Sequence, residues 1–186
     1  MLLTTLLAQH PEAVVEIVRR TPVWVGGLLV GLTGLGLMAV RTSEAHLNRV
    51  LGMPLAMGGL AVWGVVSAFG GAAGRLVELL AVWAVCYAAV IAIGFRLAPP
   101  AGARYNAATR EFHLPGSWVP LMLILAVFGL KYVIGVQLAM EPALAQNTGF
   151  AFVVTALYGV VSGLFAARTV RLLRLAFGRL PAVAAA

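Results

Sequence analysis

Three observations predict an all-α membrane fold: one integral domain over residues 1–186, built as a bundle of five transmembrane helices. First, apolar residues make up 62% of the chain and charged ones only 10%. A soluble domain carries about 25% charged residues, and no soluble core of this size could absorb the excess apolar surface. Second, the apolar residues fall into five stretches, each close to the ~20 residues a bilayer crossing needs. Third, the arginines gather at the ends of those stretches, where they set topology.

Residues 1–20, "MLLTTLLAQHPEAVVEIVRR", do not read as a signal peptide. The positive charges follow the apolar part, and "QHPE" interrupts it. An N-terminal amphipathic helix lying in the interface is expected, with a flexible tail as the alternative. The first span covers 22–40, with Thr21 as N-cap and Pro22 at the first helical position. The second covers 49–70, with Pro54 close to its first turn, and the third covers 76–95. The fourth, 118–140, has Ser117 as its N-cap. The fifth, 148–167, follows Asn147 and a turn at Glu141 and Pro142; residues 168–186 form a basic cytoplasmic tail.

Between spans three and four lies the longest loop, "RLAPPAGARYNAATREFHLPGSW". "APPAGA" reads as an extended linker. Tyr105 on one side of "NAAT", and Phe112 and Leu114 on the other, predict a short hairpin with alternating faces. An isolated two-stranded hairpin is marginal in water, so this one must rest on helix ends or on the bilayer surface.

Orientation follows from the arginines. With the amino terminus outside, Arg41, Arg49, Arg96, Arg104, Arg110, Arg168, Arg171, Arg174 and Arg179 are cytoplasmic. Only Arg19, Arg20 and Arg75 are then external, a strong positive-inside bias. The carboxyl terminus is then cytoplasmic. The absence of Asp, the single Lys and the many Ala, Gly and Arg point to a bacterial gene, so the expected location is the bacterial inner membrane, multi-pass. The same bias accounts for the net charge of +7 without nucleic acid as a partner.

Spans associate by close packing and hydrogen bonds, because lipid tails are as apolar as leucine. Small residues four apart let backbones approach, at Gly27 and Gly31, at Gly64, Ala68 and Ala72, and at Ala84, Ala88 and Ala92. The most regular stripe is Ala151, Thr155, Gly159, Gly163 and Ala167 in the fifth span, which predicts a helix packed against it. These faces offer contacts to the same chain, to a second copy or to other membrane proteins. The remaining expected partner is the lipid bilayer.

Lys131, the chain's only lysine, lies near the middle of the fourth span. An ammonium at that depth costs about 2.5–3.5 kcal/mol on insertion scales. Snorkelling is opposed by the tilt of Cβ atoms toward the helix amino terminus, which points it along the longer route to water. Phe128, Lys131, Tyr132, Gly135 and Ala139 share one helical sector, with the composition of a packing face. Counting along the other spans puts Thr33, Tyr87 and Tyr158 near the same depth, so Lys131, Tyr132, Tyr87, Tyr158 and Thr33 form a candidate polar midplane layer. Snorkelling, a buried clasp that fixes helix register, and a ligand or transport site all remain open.

No catalytic constellation appears. His10, His46 and His113 lie in separate polar segments, and Ser67 and Ser162 have no His or Asp at hand. A single cysteine, Cys86, excludes an internal disulfide and a thiolate cluster. No metal and no cofactor are expected.

The stretch of Tyr105, Asn106, Ala108, Thr109, Phe112, Leu114, Pro115, Gly116, Ser117 and Trp118, followed by Lys131, Tyr132 and Gly135, resembles a motif pair of small bacterial inner-membrane proteins of unknown function. That family is distantly similar to the CcdC-like group. The resemblance covers most of the chain after about residue 20 and makes the first twenty residues an extension. It implies the five-span fold and brings no activity; a role in cytochrome or redox-protein assembly would rest on that analogy alone. The expected function is a non-enzymatic accessory or assembly factor. The alternative is a small transporter or channel around Lys131, weakened by the absence of a midplane acid.

Overall fold

The computed structural model describes residues 19, 21–71, 74–106, 109 and 111–177. Residues 1–18 and 20 of the expected interfacial helix, Ala72, Ala108, Arg110 and Arg179 lie outside the described residues. The order is α1 (Val23–Met38), β1 (Ser43–His46), α2 (Leu47–Phe69), α3 (Leu76–Arg96), β2 (Arg104–Asn106), β3 (Glu111–Leu114), α4 (Val119–Met140), a 3-10 turn (Pro142–Gln146) and α5 (Thr148–Phe177). Among the described residues, α2 to α5 are long and apolar enough to cross a membrane. The fifth apolar helix, α1, has only 16 residues.

Helix starts show how local chemistry was redirected. Asn147 caps α5 as its position suggests, its Oδ1 accepting the N–H of Phe150 at 3.0 Å. Ser117 Oγ accepts the N–H of Val119 at 3.3 Å, but Trp118 and not Ser117 holds the N-cap position of α4. Thr21, however, does not cap α1: Pro22 holds the N-cap position with no side-chain cap bond. The Thr21 hydroxyl is instead 2.5 Å from the Tyr132 hydroxyl of α4. A tertiary partner has replaced the local one.

Helix α5 runs ten residues beyond the expected end at Ala167, to Phe177. Charge alone makes "RTVRLLRLAF" look like a tail, but Thr169 and Leu172 continue the buried face. Two of its arginines are engaged along the extension. Arg171 Nε donates to the Ala98 carbonyl at 2.7 Å, and Arg174 donates to those of Phe95 and Leu97 at 2.5 and 3.2 Å. These are carbonyls at or just beyond the C-terminus of α3, which lack helical partners and carry the negative end of the dipole.

The loop strands β2 and β3 pair antiparallel, with Tyr105 opposite Phe112. A third strand, β1, adds to the other side of β3, giving the order β1-β3-β2. Sequence periodicity gave no sign of β1, since "SEAH" has one apolar residue. It is held by Ala45 opposite Phe112 and by a 3.3 Å contact of His46 with Glu111. Phe112 is fully buried among Ala45, Val50 and Leu172, so the sheet is pinned to the ends of α2 and α5.

Helix α5 is the centre of the bundle, with α3 and α2 against it and α1 against α4. All five residues of its small-residue stripe, Ala151, Thr155, Gly159, Gly163 and Ala167, are buried. A Cβ at Gly159 would stand 2.6 Å from the Trp83 carbonyl oxygen, and one at Gly163 would stand 2.9 Å from Val90 Cβ. At Gly94 of α3 a Cβ would collide with Ala167. Backbones therefore touch along most of the α3–α5 contact.

The Gly64 and Ala68 stripe of α2 also packs, with Gly64 against Lys131 and Tyr158 and Ala68 against the core, but two other small-residue stripes do not lie in contacts. A Cβ at Gly27 or Gly31 would meet nothing within 4 Å. Ala84, Ala88 and Ala92 are exposed, and α3 presents Leu79, Trp83, Cys86, Val90 and Gly94 to the core and to α5 instead. A chain with 21 glycines and many alanines places small residues four apart often, whether or not a helix sits opposite.

Candidate functional site

Helix α4 carries Lys131 toward α2 and α5. Its Nζ donates to the Leu60 carbonyl at 3.3 Å and lies 4.9 Å from the centre of the Tyr158 ring. A carbonyl inside a helix already takes one N–H from four residues on, and its second lone pair is what the lysine uses. The tyrosine face attracts the cation through its quadrupole. Gly64 makes this possible, because a Cβ there would be 2.8 Å from Nζ and 3.1 Å from Tyr158 Cε2. The lysine enters a slot cut by a missing side chain.

On its α5 side the amine faces a void of about 20 Å³ between Met57, Ala61, Tyr158, Ser162 and Phe165, room for about one water. Ser162 turns its hydroxyl back to the carbonyls of Tyr158 and Gly159, at 2.6 and 3.2 Å. On the other side Lys131 borders a cleft of about 720 Å³ between α1, α4 and α2. The walls of that cleft are mostly apolar, with Thr21, Lys131 and Tyr132 as its polar groups.

The five residues counted to one depth are thus dispersed in plan. Lys131 and Tyr158 meet. Tyr132 joins Thr21 and stacks on Phe128 at 6.2 Å. Tyr87 stacks on Trp83 at 5.0 Å and lies on the flank of α5 that carries Gly163. Thr33 is half-buried in α1 and does not wall the cleft. Depth can be counted along a helix, whereas the choice of neighbour cannot. Leu60 and Gly64 were the partners missed. The acceptor on Leu60 is backbone and has no sequence signature, and Gly64 was legible only as one of many small residues.

Among the described residues no group of three or more His, Cys, Asp or Glu side chains could hold a metal ion. The arrangement offers an amine, a carbonyl and an aromatic face, which can orient and bind.

The chain belongs to a family of unknown function, DUF6622, whose model matches residues 1–183. The first twenty residues therefore lie within the family's span and are not an extension to it. No curated protein and no solved structure matches the chain.

Proposed function

We propose that this chain is a five-span integral protein of the bacterial inner membrane, acting without catalysis as an accessory or assembly factor. The observation that carries the non-catalytic, non-conducting reading is the engagement of Lys131 with α2 and α5. Its amine is occupied by Leu60 and Tyr158 beside a void of about 20 Å³, as suits a clasp that fixes the register of α4 against α2 and α5. Membrane insertion is supported by outward-facing Trp24, Val30, Leu55, Trp63, Val77 and Val85, all at least two-thirds exposed. Soluble proteins rarely leave so much apolar surface open.

Helix α1 is counted as the fifth span. Its 16 residues reach roughly 24 Å, short of the ~30 Å hydrocarbon core, but flanking Pro22, Ala39 and Val40 extend it. Gly36, near its end, meets Leu121 at the start of α4, while Thr21 before it meets Tyr132 farther along. The two helices therefore run antiparallel. Arg41, Arg96, Arg104, Arg171 and Arg174 gather at the sheet end of the bundle, and Arg75 lies at the other beside Thr148 and Gln146, which supports a cytoplasmic sheet. A reporter fused after Ala186 is expected to read cytoplasmic, and one in "FGGAAG" external. An external carboxyl terminus would invert every loop.

A small transporter or channel is the second reading, favoured by the 720 Å³ cleft that Lys131 and Tyr132 also border. One experiment separates the two. With Cys86 replaced by alanine and Lys131 by cysteine, the clasp predicts protection from both charged and lipid-soluble thiol reagents. Rapid labelling by a charged, membrane-impermeant reagent would establish an aqueous path and replace the accessory reading with the transport one. Labelling by the lipid-soluble reagent alone would open position 131 to the bilayer and sink the clasp.

A further inference from the structure

At the sheet end of the bundle, away from Lys131, a second cavity of about 590 Å³ lies between α3, α4, α5 and the linker that precedes β2. This falls within the roughly 300–1,000 Å³ of small-molecule sites. Its walls separate by chemistry. Ile93, Leu123 and Leu164 make an apolar flank, and Arg168 and Arg171 stand at its charged side with no acidic residue among the described lining. Ser117 and Val119 place the start of α4 on the wall as well, and that end of a helix carries partial positive charge.

The two arginines differ in how they are held. Arg171 spends Nε on the Ala98 carbonyl, which leaves its terminal nitrogens to donate elsewhere. Arg168 is only partly exposed, and among the described residues it has neither a hydrogen bond nor an ion pair. Two guanidinium groups one helical turn apart repel each other, and a partly buried charge without a partner is costly. A positive pair with no acidic partner among the described residues, beside a helix start and an apolar trough, suits an anion.

We propose that this cavity binds an anionic amphiphile, with a phosphate or carboxylate head taken by Arg168 and Arg171 and a hydrocarbon chain laid along Ile93, Leu123 and Leu164. Arginine suits such a head because its planar donors match two oxygens at once. A small free anion would satisfy the arginines but leave the apolar trough unfilled. A neutral lipid would fill the trough but leave the arginines unpaired. The inference is independent of the role of Lys131.

The test uses the full chain, stripped of lipid in uncharged detergent and titrated with dioleoyl phosphatidic acid, read by thermal unfolding and by native mass spectrometry. One bound lipid and a raised midpoint are expected. Arg168→Gln is expected to weaken binding about tenfold or more, the loss that goes with charge-assisted hydrogen bonds. Ile93→Trp fills the trough from a largely exposed position and is expected to block binding while the lipid-free protein unfolds as before. Arg75→Gln, at the far end, is expected to leave binding intact. An equal response to dioleoyl phosphatidylcholine would overturn the charged head, and an equal response to inorganic phosphate would overturn the chain. Unchanged binding in Ile93→Trp would remove the site itself, and that variant decides the matter if Arg168→Gln does not fold.

Discussion

The contact of α5 with α3 and that of α4 with α1 are both made by apolar helices, yet they are built differently. In the first, Gly159, Gly163, Gly94 and Ala167 bring main chains together, so that no added Cβ could be accommodated without movement. In the second, the helices touch near Gly36 and Leu121 and again at Thr21 and Tyr132, and the 720 Å³ cleft opens between those points. Both have glycines four apart in sequence. The difference is whether a backbone stands opposite them. Where apolar character alone does not choose a partner, fit decides which helices associate, and the α3–α5 contact has the fit.

The largest expected effect breaks the tight side. Gly159→Leu or Gly163→Leu drives a side chain into the Trp83 carbonyl or into Val90 and the Tyr87 carbonyl, and backbone cannot step aside as a rotamer can. Overpacking typically costs about 1–3 kcal/mol and occasionally more. Folded yield in detergent should fall several-fold, as measured by size-exclusion chromatography. Gly31→Leu on the loose side has open space and should stay within about 0.5 kcal/mol of the parent. Equal losses at Gly163 and Gly31 would erase the comparison.

A smaller effect sharpens the middle of the bundle. Gly64→Ala pushes against Lys131 Nζ and Tyr158 and should lower the unfolding midpoint by a few degrees, on the order of 1 kcal/mol. Lys131→Met removes the half-buried amine and the cost of its partial desolvation while keeping much of the bulk, so stability should hold. The introduced thioether chain can also bend away from residue 64, so the double variant should recover most of the loss. Lys131→Glu, which sets a carboxylate against the Leu60 carbonyl, should not be tolerated. If Gly64→Ala and Lys131→Met add without rescue, the slot is not what couples them.

The smallest expected effect lies on the loose side. Tyr132→Phe removes the 2.5 Å hydroxyl pair with Thr21, worth about 0.5–1.5 kcal/mol. Because α1 has few other ties, the consequence should be local. Hydrogen exchange in Val23–Leu32 should quicken while α3 and α5 stay protected. A uniform change across the bundle would show that α1 is as firmly built in as α5.

The sequence by itself determined the helices, because runs of apolar residues near twenty long admit little else, and the starts and ends of α2, α3 and α4 lie within about two residues of expectation. It also marked the α5 stripe, since regular small residues over five positions leave a groove that a neighbour can enter. It showed the hairpin through Tyr105 and Phe112, whose alternation is local. Tertiary structure alone decided the rest. Strand β1 exists because Phe112 and Glu111 offer Ala45 and His46 a partner 65 or more residues away. The extension of α5 past Ala167 depends on carbonyls at and just beyond the end of α3, which take Arg171 and Arg174. Thr21 left its cap for Tyr132, and Lys131 found a backbone carbonyl that no side-chain pattern records. Periodicity along a chain gives the face and depth of each residue, but the neighbour is settled only when competing helices pack and the closest fit excludes the others.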